Sequence, residues 1–493
     1  MLKSQTTNSK LQTKHNDQNP KRFGILNLEF GISRSAHSAG GAGAGQAALL
    51  AVLFLFLISL AVSLGFVAIA NRAVQNARAD MDAKRSFFLA EAGVEDVVYR
   101  LKTAKQVSSS ESYALGGAAA SVTLTDIAGG KEVLATGNAN NAIRRSKAVV
   151  QQGLTGVGFA YGVQVDAGGL EMEQNSRIEG AGGVAGNVYA NGPIEGENGA
   201  VITGDATAAG GLGSISDVIV KGTARVHAVA ESKICGDAYY TTIDADSLNF
   251  VNAATKPSEC STPWASGTAY PGSADPSPAA FPISDSQIQQ WRDDAAAGGA
   301  ITGNCGDSGA AECVIADNGT LFLGPKKVVG NLALAKKQTL VITGTLYFTG
   351  SISISSSNVT VKCDPSYGSH SCMIIADGWI NVSNNAVFQG SGASGSYLMA
   401  LTAIANCNGG PQTPSCTNHN AGLEVDNNAQ GSIFYVPHSM AYVKNNARMT
   451  ELTAYKITLE NNAVITYQQG LADLQFSSGP TGGWVIQTWE EVE

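Results

Sequence analysis

One apolar stretch near the amino terminus, residues 47–70, constrains the chain more than any other feature. Its 24 residues carry no charge, and Ser59 and Ser63 are its only hydroxyl-bearing residues. At about 1.5 Å per residue, a helix of this length crosses the roughly 30 Å hydrocarbon core of a bilayer. The segment before it holds six Lys and Arg residues and two acidic residues. The positive-inside rule therefore predicts that residues 1–45 form a cytoplasmic leader and that the chain after residue 70 faces the outside.

Two alternatives to a membrane anchor remain open for this stretch. Ala68, Ile69 and Ala70 have the small-residue spacing of a signal-peptidase site. The stretch would then be a removable signal peptide, although it exceeds the usual apolar region of about 7–15 residues. A buried helix of a soluble protein has a similar composition but is rarely this long.

The helical pattern continues beyond the apolar stretch. Residues 71–105 contain no proline and a single glycine, Gly93. Their apolar residues recur at steps of three and four, as on one face of a helix. These residues are Phe87, Ala90, Val94, Val97, Val98 and Leu101. The sequence therefore predicts one helix over residues 46–105, with a membrane-spanning first half and a second half, the stalk, that packs on an apolar partner.

The stalk carries a short motif of small and acidic residues. It reads A-E-A-G-V-E and consists of Ala90, Glu91, Ala92, Gly93, Val94 and Glu95. A small-residue segment that ends at Gly45 and the uncharged stretch precede it. This arrangement, over residues of roughly 40–155, resembles the start of type IV pilin-like proteins of the PilX type.

The resemblance implies that a prepilin peptidase cuts the chain after a glycine at the membrane border. The matching site is Gly45 followed by Gln46, and Gly41 and Gly43 are alternative sites. In such proteins the new amino terminus packs against other pilin-like subunits. Major pilins carry Phe or Met at the first position and Glu at the fifth, where this chain has Gln46 and Leu50. In lacking the acidic fifth residue, this chain resembles certain minor, tip-located pilin-like subunits.

Residues 106–155 are expected to form a small β meander. Alternating apolar and polar residues occupy parts of 121–127 and 142–152, and the turn-forming pairs and clusters lie at 129–130 and 137–141. This pattern predicts short antiparallel strands packed on the stalk helix, an arrangement that the resemblance also implies.

An Asn-Asn-Ala triplet between extended stretches recurs in the carboxy-terminal half. The asparagines of its copies are Asn384, Asn385, Asn427, Asn428, Asn445, Asn446, Asn461 and Asn462. Successive copies at Asn427, Asn445 and Asn461 are 18 and then 16 residues apart. Such a period is typical of a solenoid, and Asn tolerates the left-handed backbone that a tight corner needs. The repeats predict a parallel β-helix with these asparagines at its corners, and a β-sandwich with coincidental turns remains the alternative.

The expected fold class is mainly β with one long amino-terminal α-helix: a pilin-like stalk and a solenoid-like parallel β-helix head. The head is expected to begin with rungs over residues 156–235. Residues 236–313 are rich in Pro, Ser and Gly and predict an irregular insertion with one short helix over 283–297. Residues 314–493 are expected to form the main β-helix, with disulfide loops and a carboxy-terminal cap at Trp484.

The eight cysteines all lie in the part of the chain that is predicted to face the outside, where disulfides form. Pairing of sequence neighbours is the simplest of the possible arrangements. It joins Cys235 to Cys260, Cys305 to Cys313, Cys363 to Cys372, and Cys407 to Cys416. A zinc site is a weaker alternative, because the Cys and His spacings of such sites are missing. No metal or other cofactor is predicted.

The sequence offers little evidence for catalysis. A net charge of −9 argues against a nucleic-acid partner, and no common catalytic motif occurs. β-helices can carry glycan-cleaving pairs of carboxylates, so a membrane-anchored polysaccharide-degrading enzyme remains an alternative, with Asp377, Asp426 and Glu424 as candidate acids. Tryptophans that could bind sugars or partners are Trp264, Trp291, Trp379, Trp484 and Trp489.

The sequence therefore favours a non-enzymatic, pilin-like surface protein with a single membrane span. Its β-helix head would serve filament assembly or adhesion at the cell surface or on a pilus. The expected partners are the membrane, a prepilin peptidase, other pilin-like subunits bound through the amino-terminal helix, and a surface or glycan ligand that the sequence does not identify. A surface spacer without a filament role is a third hypothesis.

Overall fold

The computed structural model describes residues 44–102, 107–127, 130–152, 154–407, 417, 420–477 and 484–492. The predicted cytoplasmic leader, residues 1–45, lies outside the described residues except for its last two positions. The chain divides into two units, Met1–Asn76 and Ala77–Glu493.

The helices of the described residues are α1 Ala44–Lys102, α2 Ala245–Val251 and α3 Asp285–Ala297, with short 3-10 turns at Pro365–Tyr367 and Leu471–Asp473. The strands of the first half are β1 Ser110–Leu115, β2 Ala118–Ile127, β3 Gly130–Ala139, β4 Ala142–Gln152, β5 Leu154–Val157, β6 Val163–Val165, β7 Leu170–Met172, β8 Arg177–Gly180, β9 Val188–Ala190, β10 Ile194–Gly196, β11 Val201–Ile202, β12 Ala206–Ala208, β13 Ser214–Ser216, β14 Ile219–Val220, β15 Ala224–Val226, β16 Ala228–Ala230, β17 Lys233–Ile234, β18 Ala238–Tyr240, β19 Thr242–Ile243 and β20 Ala269–Pro271. The strands of the second half are β21 Ala300–Thr302, β22 Cys305–Gly306, β23 Thr320–Leu323, β24 Lys326–Val329, β25 Leu332–Leu334, β26 Thr339–Ile342, β27 Leu346–Phe348, β28 Ile352–Ile354, β29 Thr360–Cys363, β30 Cys372–Ala376, β31 Ile380–Val382, β32 Val387–Gln389, β33 Leu398–Thr402, β34 Leu423–Val425, β35 Ile433–Val443, β36 Arg448–Met449, β37 Glu451–Leu459, β38 Val464–Tyr467, β39 Leu474–Ser477 and β40 Trp484–Val492.

The prediction of one long amino-terminal helix and a mainly β remainder with parallel pairing is confirmed. Helix α1 includes a stretch that is long and apolar enough to cross a membrane, with a mean hydropathy of 2.8. Within the first unit its apolar side chains, such as Phe54 and Phe56, are exposed. Because a helix satisfies its own backbone groups, such a surface is stable in lipid.

The amino-terminal module consists of the part of α1 in the second unit and one antiparallel sheet. The sheet has the order β1-β2-β3-β4-β40. Its buried face packs on Ala90, Val94 and Val97 of the helix. The last strand corrects the predicted carboxy-terminal cap: Trp484 lies in the core of this module, and β40 runs antiparallel to β4. Strand β4 has an edge that β40 fills, whereas a cap at the end of the ladders would leave that edge unpaired.

Parallel ladders build most of the rest of the second unit, and we call residues 163–271 and 300–467 the ladder region; β5 and β39 form a separate antiparallel pair. One ladder includes β6, β9, β12 and β15, the next includes β7, β10, β13 and β16, and another includes β8, β11, β14 and β17. One strand from each ladder makes a layer. The strands are short and point Val, Ile, Leu and Ala inward, so that the buried residues form one continuous core along the layers.

Within each of two runs the layers follow the sequence, but the two runs are stacked in the reverse of their sequence order. Residues 300–467 form one run of layers and residues 163–271 form the next. The two runs meet where β37 pairs with β6 and β7 and where β38 pairs with β8. In this register Ile457 lies opposite Leu170, and Val464 lies opposite Arg177. The chain therefore enters and leaves the stack at its middle.

The connecting segment, residues 272–299, returns from the layer of β20 to that of β21 along the outside of the stack. Its contacts, in chain order, join Ser277 to Tyr189, Ala280 to Gln164, Ile283 to Tyr435, Asp285 to His438, Arg292 to Asp377, and Gly298 to Lys326. Helix α3 begins after Ser284, whose hydroxyl accepts a bond from the Gln287 N–H at 3.3 Å. It buries Ile288, Trp291 and Ala295.

The region that the sequence predicts as an irregular insertion, residues 236–313, is only partly irregular. It contains α3, which lies where a short helix is predicted, and also α2. Strands β18 and β19 continue the ladders of the preceding layers, and β21 and β22 belong to a layer at the opposite end. Most of its prolines lie between these elements, and Pro271 ends β20, the last strand of its ladder, where a missing N–H is tolerated.

The Asn-Asn corners adopt left-handed backbone conformations. All eight asparagines of the repeats have φ between 49° and 61°. Their backbones are bonded from layer to layer, as from Asn446 N to Asn461 O at 2.9 Å. The side chains add bonds such as Asn461 Nδ2 to Asn445 Oδ1 at 3.1 Å. The same kind of backbone bond joins Asn462 N to Gln174 O at 3.0 Å, and Gln174 belongs to the other run of layers.

Glu451 lies at the start of β37 and is fully buried. Its Oε1 accepts a hydrogen bond from the Thr453 hydroxyl at 2.6 Å, while its Oε2 has no partner among the described residues. Burial raises the pKa of this carboxyl well above its ordinary range. The folded protein therefore holds a proton that the unfolded chain releases above about pH 4.3.

We expect the stability of the protein to fall as the pH rises from the unfolded value of the Glu451 pKa through its raised folded value. The Glu451→Gln substitution keeps a neutral side chain and should remove this dependence, so that the variant is more stable at mildly alkaline pH. Thermal unfolding, followed by circular dichroism over a pH series, measures the effect. An equal change at every pH would contradict the buried-carboxyl explanation.

Candidate functional site

The stalk motif packs the helix closely against the sheet of the amino-terminal module. Ala90 is fully buried, and Gly93 lies so close to β2 that a Cβ there would come within 2.7 Å of Val122 Cγ2. On the sheet side, a Cβ on Gly137 would overlap the carbonyl oxygen of Ser86. The small residues of the motif thus allow a short distance between helix and strands.

Glu91 links the helix to two strands of the sheet. Its Oε1 accepts hydrogen bonds from the Ser146 hydroxyl in β4 and from the Trp489 indole N–H in β40 at 3.0 Å. Val94 of the motif is buried, whereas Ala92 and Glu95 are exposed. The motif therefore packs the helix on the sheet and bonds it to β4 and β40. The sequence pattern alone does not reveal this role.

The predicted cleavage position lies at the start of α1. Gly45 and Gln46 belong to the first turn of the helix. The alternative glycines at positions 41 and 43 lie outside the described residues. Whether the chain is cut there stays a prediction.

Disulfides join sequence neighbours in the ladder region. Cys235 is bonded to Cys260, Cys305 to Cys313, and Cys363 to Cys372. These six sulfurs are therefore not available as zinc-binding thiolates. Cys407 is buried and disulfide-bonded as well. Its predicted partner, Cys416, lies outside the described residues.

The candidate acids of the enzyme hypothesis are held by neighbouring side chains. Asp377 is paired with Arg292 and accepts a bond from the Tyr347 hydroxyl. Burial, and then the bond to Asp377, raise the pKa of Tyr347 to about 12.

Glu424 and Asp426 share a single cation. Lys444 Nζ lies 2.7 Å from Glu424 and 3.9 Å from Asp426. Asn445 donates a bond of 2.6 Å to Asp426 as well. These contacts tie both carboxylates to the ladders.

The tryptophans differ sharply in exposure. Trp291 and Trp484 are buried, and Trp264 donates its indole N–H to the carbonyl of Cys235 at 3.2 Å. Trp379 is 44% exposed, and its indole makes no hydrogen bond to the described residues. It is the tryptophan that lines a cleft, described next.

The cleft, which we call the Trp379 cleft, has a volume of about 380 Å³. Its lining residues are Trp379, Ile380, Asn381, Ile404, Asn406, Asn420, Ala421 and Glu424. The lining thus combines apolar surface, from an indole and aliphatic side chains, with the polar groups of three amides and one carboxylate. Concave sites that combine apolar surface with a few fixed polar groups are typical of small-ligand binding.

Comparison with known proteins gives little guidance. No family model matches the chain, and no curated protein matches it. Among solved structures, the competence-associated pilin ComZ from Thermus thermophilus aligns over 83% of this chain and 97% of its own chain, at 11% identity and a TM-score of 0.20. A similarity of this size supports no inference about fold or function.

Proposed function

We propose that this chain is a pilin-like surface protein, anchored by α1, whose ladder region is a parallel β-helix head for filament assembly or adhesion. The observation that carries the proposal is the amino-terminal module. Its helix continues from an apolar, membrane-length segment, and its Ala-Glu-Ala-Gly motif packs against an antiparallel sheet. A simple membrane anchor needs the apolar segment but not this packed stalk.

The ladders and the disulfides support the two other parts of the proposal. Parallel strands with stacked left-handed asparagine corners fit a β-helix. A single apolar helix combined with disulfides fits a protein that has one membrane span and a body outside the cytoplasm. The proposed partners are the membrane, a prepilin peptidase and other pilin-like subunits.

Processing of the amino terminus tests this proposal. We expect the mature chain from membranes to begin at Gln46, because Gly45 precedes the apolar segment as the resemblance requires. Mass spectrometry of the mature amino terminus makes the measurement, and Gly45→Leu should block cutting, whereas Gly41→Leu should not. A chain that keeps residue 1, or that begins at Asn71, would contradict a pilin-like role.

A further inference from the structure

The Trp379 cleft has a rigid floor. Trp379 lies just before β31, and its carbonyl accepts a bond from the Ile352 N–H at 2.9 Å. The preceding carbonyl, that of Gly378, accepts a bond from the Thr402 hydroxyl at 2.6 Å. Ile380 follows directly and pairs with Ile352 on one side and Leu423 on the other. Trp379 lies in the three-residue connection between β30 and β31, and these backbone bonds hold the exposed indole on the ladders.

The polar groups beside the indole are also held in place. Asn381 Nδ2 donates to Glu424 Oε2 at 3.0 Å, and Lys444 Nζ lies 2.7 Å from Glu424 Oε1. The Asn381 Oδ1 has no hydrogen-bond partner among the described residues. The cleft thus offers a free amide oxygen, while the charge of its carboxylate is balanced by a lysine.

The opposite wall is tied to β35. Asn406 donates to the carbonyl of Asn420 at 2.7 Å and accepts a bond from the Ser439 hydroxyl. The next residue, Cys407, is buried and disulfide-bonded, and its N–H donates to the carbonyl of His438 at 3.3 Å. Both walls are consequently in place before a ligand arrives, which lowers the entropic cost of binding.

We propose that the Trp379 cleft binds a neutral glycan, with a sugar ring stacked on the indole of Trp379 and hydroxyl groups bonded to Asn381. A pyranose has an apolar C–H face and a rim of hydroxyls that both donate and accept. The cleft has the matching parts: an exposed aromatic face and adjacent amides. Among the described residues the lining carries no cation, and its carboxylate, Glu424, is paired with Lys444, which Asp426 also approaches at 3.9 Å; this arrangement favours a neutral ligand over an ionic one. The inference rests on the proposed adhesive role of the head and specifies its ligand class.

Binding of the full-length, detergent-solubilised chain to an array of neutral and charged glycans tests the inference. We expect signal on neutral glycans, reduced at least about tenfold by Trp379→Ala and only partly by Trp379→Phe, since a phenyl ring retains some stacking surface. Asn381→Ala should also weaken binding. Phe322→Ala is the matched control, because Phe322 is an exposed aromatic residue of the ladder region that does not line the cleft, and it should leave binding unchanged.

Three results would overturn the inference. They are the absence of binding to any neutral glycan, a preference for charged glycans, and binding that survives both Trp379→Ala and Asn381→Ala. Circular dichroism of each variant separates lost binding from lost folding. The assay uses the head whether or not the amino terminus is processed, so its failure is distinct from failure of the pilin-like assignment.

Discussion

Deletion of residues 478–493 is expected to unfold the amino-terminal module while the ladder region stays folded. Strand β40 covers the edge of β4 over a register from Trp484, opposite Gln152, to Val492, opposite Arg145. It also brings Trp484 into the module core. Without it, β4 has an open edge and the apolar face of the helix loses part of its cover. Truncating a buried tryptophan alone costs about 3–5 kcal/mol, and the deletion removes the strand as well.

Hydrogen exchange of the detergent-solubilised chain measures this effect. Amides of residues 110–152 should lose protection in the deletion variant, whereas those of the ladder region should keep it. The control is the double substitution of Glu490 and Glu491 by Gln, which removes exposed ion pairs with Lys147 and Arg144 but keeps the strand. That variant should resemble the parent chain, because exposed pairs contribute little. Unchanged protection of residues 110–152 after the deletion would show that β40 is dispensable.

Local patterns were sufficient to predict the long helix and the positions of the Asn-Asn corners. The membrane-length apolar stretch and the three- and four-residue spacing after it predict a single long helix, and α1 covers Ala44–Lys102. The Asn-Asn-Ala triplets mark positions where the backbone is left-handed. Such predictions succeed because a helical face or a tight corner is determined by residues close together in the sequence.

The order of the layers could not be predicted in the same way. A repeat specifies a corner but not which other corner lies next to it, so Asn462 predicts no contact with Gln174. The alternating residues of β40 fit any sheet with an open edge, and the sequence does not identify β4 as that edge. The Trp379 cleft depends on Asn381 and Asn420, which are brought together only by the stacking of layers.

A cut in the connecting segment, between Ser273 and Ala274, is expected to leave two fragments that stay bound to each other. The three disulfides with identified partners close within one fragment or the other, so they do not join the fragments. What holds them together is the pairing of β37 and β38 with β6, β7 and β8, that of β39 with β5 and that of β40 with β4. The pairs that β37 and β38 make bury one continuous apolar core across both fragments.

An inserted protease site and gel filtration in detergent provide the test. The cut chain should elute as one species and separate only in denaturant. In the cut chain, Ile457→Asp should lower the denaturant concentration at which the fragments separate, because Ile457 is fully buried opposite Leu170 and an unpaired charge there costs several kcal/mol. Gln469→Asp, which places the same charge at an exposed position nearby, should not. Separation of the unmutated fragments would contradict the pairing of the two runs at β37 and β38.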